Sequence, residues 1–376
     1  MVFILSKDES SPASFLAKLN TSRHALGIMP FTPAPSLVQN SPAISRIGRF
    51  YLTRELGRGT VGCVYLGHDP VIARDVAIKT FNPRLSPSEK AKYEPQFINE
   101  ARAAGRLSHP HIITIYDASS EGGTTYIAME YLQGRELDKV LDGGYRFMPD
   151  EVGSIAWKIA DALDYAHRHD VVHRDIKPAN IFMLKGDIPK LVDFGIARAP
   201  NRVADRQANV DESYTMFHGS NLLGTPNYMS PEQASGKPVD ARTDIYSLGA
   251  VMYEMLAGRK PFQSDSVDDL LQQIAFKAPP APADIDTRIP KALSRIVMKA
   301  MSKRPEKRYQ TAEQMAIDIK HYLLQERRAR RRVKRAASAS EQNQPAETTN
   351  RNKLSWAYLL LFAAAVVTAL AFWGYR

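Results

Sequence analysis

Two short motifs in the middle of the chain decide how its fold is read. They are HRDIKPAN at positions 173–180 and DFG at positions 193–195. Carboxylate and amide oxygens are the ligands that Mg²⁺ prefers, usually together with substrate phosphates. Asn180 and Asp193 are therefore the candidate metal ligands.

The same motifs supply two candidate catalytic residues, Asp175 and Lys177. Phosphoryl transfer needs a hydroxyl aimed in line and charge stabilisation, and little covalent help from protein. Asp175 is suited to accept the hydroxyl proton, and Lys177 to offset charge on the moving phosphoryl group. Each residue alone has a structural explanation, such as an Asp that caps a turn. Their occurrence together in this order predicts a phosphoryl-transfer site.

A glycine-rich stretch, GRGTVGCV, lies upstream at positions 57–64. Gly57, Gly59 and Gly62 let the backbone approach phosphate oxygens and present N–H donors. A dinucleotide-binding loop has a similar pattern but runs from a strand into a helix. Here Cys63–Leu66 continues as a strand, so the stretch predicts a hairpin that covers a nucleotide.

A lysine follows at the end of the next apolar run, VAIK at positions 76–79. A lone Lys is usually a solvated surface residue. Lys79 has a candidate partner, because Glu100 lies in a helical pattern over 97–107 and its carboxylate can orient the ammonium. The pair then places a positive charge on the α- and β-phosphates of a nucleotide.

Taken together, these motifs resemble those of the Hanks-type (eukaryotic-type) protein kinases, and the chain is most similar to their bacterial serine/threonine branch. The resemblance covers residues 49–326. It implies an α+β bilobal protein-kinase fold, with a β-rich N-lobe over 49–133 and a helical C-lobe over 134–326. It also implies that the chain uses ATP with Mg²⁺, or Mn²⁺ as the alternative, to phosphorylate protein substrates.

The resemblance also assigns the residues that bind the adenine. Three side chains would cover the ring and one would lie beneath it, with a gatekeeper and a hinge at its edge. Leu56, Val64 and Ala77 would cover the ring, and Phe182 would lie beneath it. Met129 would be the gatekeeper, and the hinge would consist of Glu130, Tyr131 and Leu132.

Further family features follow toward the C-terminus. GTPNYMSPE at 224–232 resembles the loop that docks protein substrates, and Lys177 with Thr225 marks serine/threonine enzymes in the family. Asp244 and Arg308 match residues that brace the large lobe, and Arg308 is expected to pair with Glu232.

The polar stretch 201–223 is expected to be the activation segment, and Arg174 the residue that binds a phosphate on it. The candidate acceptors for autophosphorylation are Ser213, Tyr214, Thr215 and Ser220. Autophosphorylation in trans implies that the chain dimerises.

Local signals predict two helix starts in the C-lobe. A stripe of apolar residues follows Pro149, with Asp150 as the expected N-cap. Thr311 and Gln314 have the spacing of a capping box, in which each side chain bonds a backbone N–H of the other's turn.

Composition sets the context of this domain. The net charge is +10, and seven basic residues lie between Arg327 and Arg335 with no acid among them. The single cysteine, Cys63, excludes an intrachain disulfide and a cysteine-rich zinc site. Residues 1–48, rich in Ser, Pro and Asn, are expected to be a disordered extension.

The C-terminal end predicts a membrane anchor. Residues 354–373 are 20 positions without a charge, and such a helix is about 30 Å long, which matches a hydrocarbon core. Residues 327–353 are then a basic juxtamembrane linker in contact with lipid, and 374–376 a short tail. Lys and Arg residues next to a membrane span usually remain on its cytoplasmic side. We therefore expect a single-pass protein of the cytoplasmic membrane with its kinase domain in the cytoplasm.

Three other functions compete with an active protein kinase. A pseudokinase scaffold at a membrane would typically lose Lys79, Asp175, Asn180 or Asp193, and all four are present. A small-molecule kinase of the aminoglycoside type would lack the GTPNYMSPE stretch. Nucleic-acid binding by the basic run is the third, and we expect none because the adjacent apolar segment explains the run.

Overall fold

The computed structural model describes residues 46–59, 62–81, 87–121, 123–194, 226–342 and 357–367. The chain divides into two compact units between Leu323 and Leu324. The first unit contains both lobes of the expected bilobal kinase fold, a strand-rich part followed by a helical part.

The N-lobe is a six-stranded sheet in which every neighbouring pair is antiparallel. Its strand order is β1-β2-β3-β4-β6-β5. The strands are β1 (Arg46–Ile47), β2 (Phe50–Arg58), β3 (Gly62–Asp69), β4 (Arg74–Phe81), β5 (Ile115–Glu121) and β6 (Thr124–Glu130). Helix α1 (Pro87–Ala104) lies between β4 and β5 in the chain and packs against β5 and β6.

The first strand corrects one predicted boundary. Arg46 pairs with Tyr51 and Ile47 with Phe50, so the sheet begins three residues before the expected start at 49. Ile47 and Phe50 are buried together, and the Phe50 ring meets Tyr126 edge-on at 5.8 Å. Burial of these apolar side chains holds the hairpin on the sheet, a long-range contact that the polar composition around it does not reveal. Residues 1–45 of the predicted extension lie outside the described residues.

The C-lobe begins with a small sheet and continues as helices. The sheet joins β7 (Gly134–Glu136), β8 (Ile181–Leu184) and β9 (Ile188–Leu191) in that order. The helices are α2 (Leu137–Asp142), α3 (Pro149–Arg168), α4 (Pro231–Ala234), α5 (Arg242–Ala257), α6 (Val267–Phe276), α7 (Pro282–Ile285), α8 (Lys291–Ala300) and α9 (Ala312–Gln342).

Helix α5 lies at the centre of this lobe. Twelve of its residues are buried, from Thr243 to Met255, and it packs against both α3 and α8. A Cβ on Gly249 would come within 2.9 Å of the Ala300 side chain, so the glycine lets α5 and α8 approach closely. The helix is apolar on nearly all sides because it is enclosed by others. Helix α5 thereby supports the site residues.

The two predicted helix starts have different outcomes. Helix α3 is capped by Met148, and Pro149 occupies its first turn, so the prediction of Asp150 as N-cap is wrong. Proline suits the first helical position, where its missing N–H is not needed. At α9 the prediction holds in part. The Thr311 hydroxyl accepts from the backbone N–H of Gln314, but the Gln314 side chain bonds Gln310.

Helix α9 continues beyond the expected end of the kinase domain at 326 and reaches Gln342. The stretch consists mainly of Arg, Ala and Lys, all strong helix formers, with no Gly or Pro to end it. Part of the expected linker 327–353 is therefore helical.

A further helix, α10, covers residues 357–367 and lies within the segment predicted to span a membrane. The rest of the predicted span, 354–356 and 368–373, is outside the described residues. Across the described ranges of the chain, no helix combines the length and apolarity that a bilayer crossing requires.

Candidate functional site

The loop before β8 brings three predicted site residues into one hydrogen-bonded group. The Lys177 ammonium lies 2.7 Å from Asp175 Oδ2. The Asn180 side-chain amide donates to the same Oδ2 at 2.9 Å and to the Asp175 carbonyl at 2.8 Å. The Asp175 carboxylate is therefore fixed in position by two hydrogen-bond donors.

The backbone of this loop is held by Asp244 at the start of α5. Its fully buried carboxylate accepts the backbone N–H groups of His173 at 2.8 Å and Arg174 at 2.7 Å, and Nε2–H of His167 at 2.8 Å. Burial acts to raise the pKa of Asp244, but the hydrogen bond and charge of His167 outweigh it and lower that pKa. Arg174 has a left-handed backbone with φ of 65°, which is strained for a residue with a side chain. Asp244 thus stabilises a conformation that the loop alone would not keep.

His173 links this loop to the metal-ligand loop. It is fully buried, and burial lowers its pKa, so the ring is neutral. Its Nε2 donates to the Val192 carbonyl at 3.1 Å, which leaves Nδ1 to accept the Asp175 backbone N–H at 3.3 Å. The ring also packs on Phe194 at 4.6 Å. The sequence motif contained His173, but its role came only from the structure.

Lys79 and Asp193 form an ion pair across the cleft, with Nζ 2.8 Å from Oδ1 and both side chains 12% exposed. Burial acts to raise the pKa of Asp193, but the Lys79 ammonium lowers it, so the carboxylate is ionised. Glu100 lies on α1, and its side chain is outside the described part of the structure, so the Lys79–Glu100 pair stays a prediction.

The predicted adenine site is an apolar cluster between the lobes. The predicted residues Leu56, Val64, Ala77, Met129, Leu132 and Phe182 pack together with Ile113 and Val192, and Tyr131 is packed against them. Leu56, Val64 and Ala77 come from strands β2, β3 and β4, and Phe182 comes from β8 in the other lobe. The chain thus brings these side chains into one cluster, as the resemblance implied.

The hinge carries an ion pair that the sequence did not indicate. The Glu130 carboxylate lies 2.6 Å from Lys190 Nζ on β9, and it also accepts the Thr114 backbone N–H. Lys190 reaches the Ile112 carbonyl as well, at 3.4 Å. The pair ties the hinge to the C-lobe, so the Glu130 side chain is a structural link between the lobes.

The glycine-rich stretch forms the predicted hairpin between β2 and β3. Gly57 and Arg58 pair with Val64 and Cys63, and the Gly59 N–H donates to the Gly62 carbonyl at 2.8 Å. A Cβ on Gly62 would lie 1.7 Å from the Thr80 carbonyl oxygen. Only glycine allows β3 to approach β4 this closely. Residues 60–61 at the tip are outside the described ranges.

The donor set fits a magnesium ion held by Asn180 and Asp193. The Asn180 amide nitrogen must face Asp175, because the Asp175 carbonyl only accepts hydrogen bonds. Its Oδ1 is then left buried without a hydrogen-bond partner. An orphaned buried oxygen of this kind needs a cation or a donor. In the described residues there is no cluster of three or more His, Cys, Asp or Glu side chains that could hold a metal ion. Mg²⁺ is commonly bound by one or two protein oxygens together with substrate phosphates and water.

The predicted pair in the large lobe is confirmed. Arg308 binds Glu232 in a bidentate manner, with both N···O distances 2.7 Å and both side chains buried. The Thr243 hydroxyl also donates to Glu232, at 2.7 Å. Burial acts to raise the pKa of Glu232, and the Arg308 guanidinium outweighs it and lowers that pKa. The pair connects the end of the docking stretch to α5 and to the turn before α9.

The protein kinase domain, as a family, matches residues 50–320 of this sequence. The chain belongs to the protein kinase family. Serine/threonine-protein kinase PrkC of Bacillus subtilis is 36% identical over 273 residues, which are 73% of this chain and 40% of that protein. A probable serine/threonine-protein kinase of Streptomyces coelicolor, SCO3848, is 39% identical over 280 residues, 73% of this chain and 40% of that protein.

Solved kinase structures share the fold. The crystal structure of the Mycobacterium tuberculosis PknI kinase domain superposes with a TM-score of 0.57 at 25% identity, over 75% of this chain and 99% of that domain. The relatives named above place this chain in the bacterial serine/threonine branch of the family. The chain spans about two fifths of the length of the curated relatives it matches.

Gly195, the loop residues 224–225 and the four candidate acceptors Ser213, Tyr214, Thr215 and Ser220 lie outside the described residues.

Proposed function

We propose that this chain transfers the γ-phosphate of ATP to serine and threonine hydroxyls of proteins. The observation that carries the proposal is the intact, mutually bonded set of Asp175, Lys177 and Asn180, which lies beside the Lys79–Asp193 pair. Family membership and the names of its relatives support the same activity.

The residues divide the work as follows. Asp175 accepts the proton of the attacking serine or threonine hydroxyl. The oxygen of that hydroxyl forms a bond to the γ-phosphorus. The bond from that phosphorus to the oxygen bridging to the β-phosphate breaks, and ADP leaves. Lys177 and Lys79 offset charge on the phosphates. Asn180 and Asp193 would hold Mg²⁺, and the ion would supply positive charge to neutralise the phosphate oxygens.

The rival proposal is a pseudokinase scaffold, and a direct measurement separates the two. Full-length protein is incubated with γ-labelled ATP, magnesium and a general protein acceptor, beside an Asp175→Asn variant. An active kinase transfers label, and the variant loses about 10²–10⁴ of the rate, the range for a positioned acid–base group. Folded wild-type protein that neither binds Mg-ATP nor labels any polypeptide would support the scaffold.

We further propose that the kinase is anchored by residues 354–373 in the cytoplasmic membrane, with the catalytic domain in the cytoplasm. Support comes from the 20 uncharged residues and from the exposed apolar side chains of α10. The basic run 327–335 is exposed throughout and suits anionic lipid, at about 1 kcal/mol per Lys or Arg. Protease added to intact cells should leave the kinase domain whole, and its digestion from outside would contradict this topology.

Autophosphorylation in trans, through a dimer, is the last part of the proposal. Its support is the Arg174 side chain next to Asp175 and the hydroxyl residues within 201–223. Mass spectrometry of active protein should find phosphate on Thr215 or Ser220. An unmodified segment in active enzyme would refute it.

A further inference from the structure

A hollow on the surface of the C-lobe lies where α5 ends and α6 begins. Its volume is about 380 Å³, and its lining includes Asn227, Glu254, Arg259, Lys260 and Ser264. It is called here the α5–α6 hollow. Liquid water takes up about 30 Å³ per molecule, so the hollow has room for a charged side chain that keeps part of its hydration. None of its lining residues belongs to the apolar cluster of the adenine site.

Two cations in the hollow have no carboxylate bonded to them. Among the described residues, neither Arg259 nor Lys260 forms an ion pair, in contrast to Arg242, which binds Asp240 at 2.6 Å. Arg259 hydrogen-bonds the hydroxyl of Tyr253, and burial raises the pKa of that hydroxyl, so this partner is neutral. The bond orients the guanidinium and leaves its charge uncompensated.

The one carboxylate among the lining residues, Glu254, has a partner of its own. It accepts the Tyr228 hydroxyl. Burial raises the pKa of Glu254, whereas the Tyr228 bond and the charge of Lys260 act to lower it. Two positive charges then face one negative charge that is already hydrogen-bonded. The lining has an excess of positive charge, which attracts an anion.

The stretch 224–232, which resembles the protein-docking loop, indicates what kind of molecule reaches the hollow. Asn227 belongs to this stretch and lines the hollow, and its amide donates to the Phe262 carbonyl at 2.8 Å. Tyr228 of the same stretch bonds Glu254. The hollow is therefore joined to the docking stretch, and a group bound in it would come from the protein substrate rather than from the nucleotide.

We propose that the α5–α6 hollow binds a phosphorylated serine or threonine that the protein substrate already carries, so that this kinase prefers acceptors phosphorylated beforehand. A phosphate group has nearly two negative charges at neutral pH and matches two cations better than a single carboxylate does. A guanidinium also binds phosphate in a bidentate manner. The proposal rests on the protein kinase activity proposed above and adds the substrate class. An earlier phosphoryl transfer to the same protein must then supply the substrate.

The two cations have an alternative, structural explanation. Lys and Arg are favoured near the C-terminal end of a helix because they interact with its dipole, and α5 ends at Ala257. In that role Arg259 and Lys260 would stabilise α5 and would not affect which substrate is phosphorylated. Selectivity and stability are therefore measured on the same variants.

The test uses the full chain and synthetic peptides with one acceptor serine. Matched series carry phosphoserine, aspartate or alanine at each flanking position in turn. At one or more positions, phosphoserine should raise kcat/KM by about 5- to 20-fold over alanine, the lower part of the range for hydrogen bonds to charged groups, because the hollow is open to water. Aspartate should give a smaller gain. Added salt should reduce the phosphoserine gain, since it screens exposed charges.

The double variant Arg259→Gln with Lys260→Gln should remove the phosphoserine gain, with kcat and KM for the alanine peptides and for ATP unchanged. The matched control is Arg288→Gln, which should keep the gain, because Arg288 is exposed, is paired with Asp286 and does not line the hollow. If the double variant does not fold, Arg259→Gln alone changes an exposed position and should reduce the gain in part.

The proposal is overturned if no position prefers phosphoserine, if aspartate gives the same gain, or if the double variant keeps the preference. A double variant that melts at a lower temperature and keeps the preference would assign the cations to the end of α5. A loss of rate that is equal for every peptide would likewise overturn the proposal. Transfer to the alanine peptides without a phosphoserine preference would refute this inference and leave the kinase activity standing. Absence of any transfer would refute both.

Discussion

The buried pair of Arg308 and Glu232 should be the largest single electrostatic contribution to the stability of the C-lobe. Arg308 makes five hydrogen bonds, two to Glu232 and one each to the carbonyls of Ser302, Lys303 and Arg242. An Arg308→Met substitution removes all of them and leaves the Glu232 carboxylate buried, with the Thr243 hydroxyl and its own backbone N–H as donors. The protein then contains an uncompensated charge as well as three carbonyls that have lost a donor.

Breaking a buried pair by removing one partner costs about 3–5 kcal/mol. At roughly 2–4 °C per kcal/mol for a domain of this size, the melting temperature should fall by about 6–20 °C. The assay is urea unfolding of the full chain, followed by tryptophan fluorescence, with thermal melting beside it. A double variant, Glu232→Leu with Arg308→Met, should recover part of the loss because no unpaired charge remains.

Arg288→Met is the matched control. Arg288 makes a similar pair with Asp286 at 2.7 Å, but the arginine is 89% exposed. Exposed pairs contribute little because water competes for both charges. If Arg308→Met proves no more destabilising than Arg288→Met, the reasoning about burial is refuted.

Three further predictions concern the site. Asp244→Asn removes a hydrogen-bond acceptor from the strained loop at Arg174. In steady-state kinetics it should lower kcat by about 10- to 100-fold, with little change in the KM for ATP. An unchanged kcat would contradict this prediction. Gly62→Ala places a Cβ against the Thr80 carbonyl and should weaken ATP binding by about 10- to 100-fold, measured by titration calorimetry, with wild-type affinity as the opposing result. Burial raises the pKa of Glu136 to about 8, whereas the unfolded chain releases this proton near pH 4. The folded state therefore keeps the proton over a range in which the unfolded state has lost it. The free energy of unfolding should fall as the pH rises from about 4 to about 8. Glu136→Gln should reduce this dependence of stability on pH. The prediction is refuted if the melting temperatures of the wild type and the variant change equally with pH across this range.

Much of the site could be read from the sequence because its chemistry is local. Asp175, Lys177 and Asn180 lie within six positions, so their side chains meet in one loop. The glycine-rich stretch and the strand that continues after it likewise predicted the hairpin over residues 57–64. The Arg308–Glu232 pair was predicted only because the motifs resemble those of a family that has it.

Other contacts could not be predicted because they join elements far apart in the chain. The Glu130–Lys190 link, the neutral His173 between two loops and the bond from His167 to Asp244 have no sequence spacing that marks them. The cap of α3 was predicted wrongly because a local propensity for Asp competed with the backbone preference of Pro149.

The sequence by itself determined which atoms are available for phosphoryl transfer, because motif residues and their spacing set the chemistry of a loop. Tertiary structure alone decided which of those atoms are held, buried or left without a partner. Packing around α5 gives Arg174 its strained backbone, and packing beside β8 leaves Oε1 of Glu136 buried without a hydrogen-bond partner. The physical reason is that burial and long-range contact depend on how elements fit together, which no local pattern encodes.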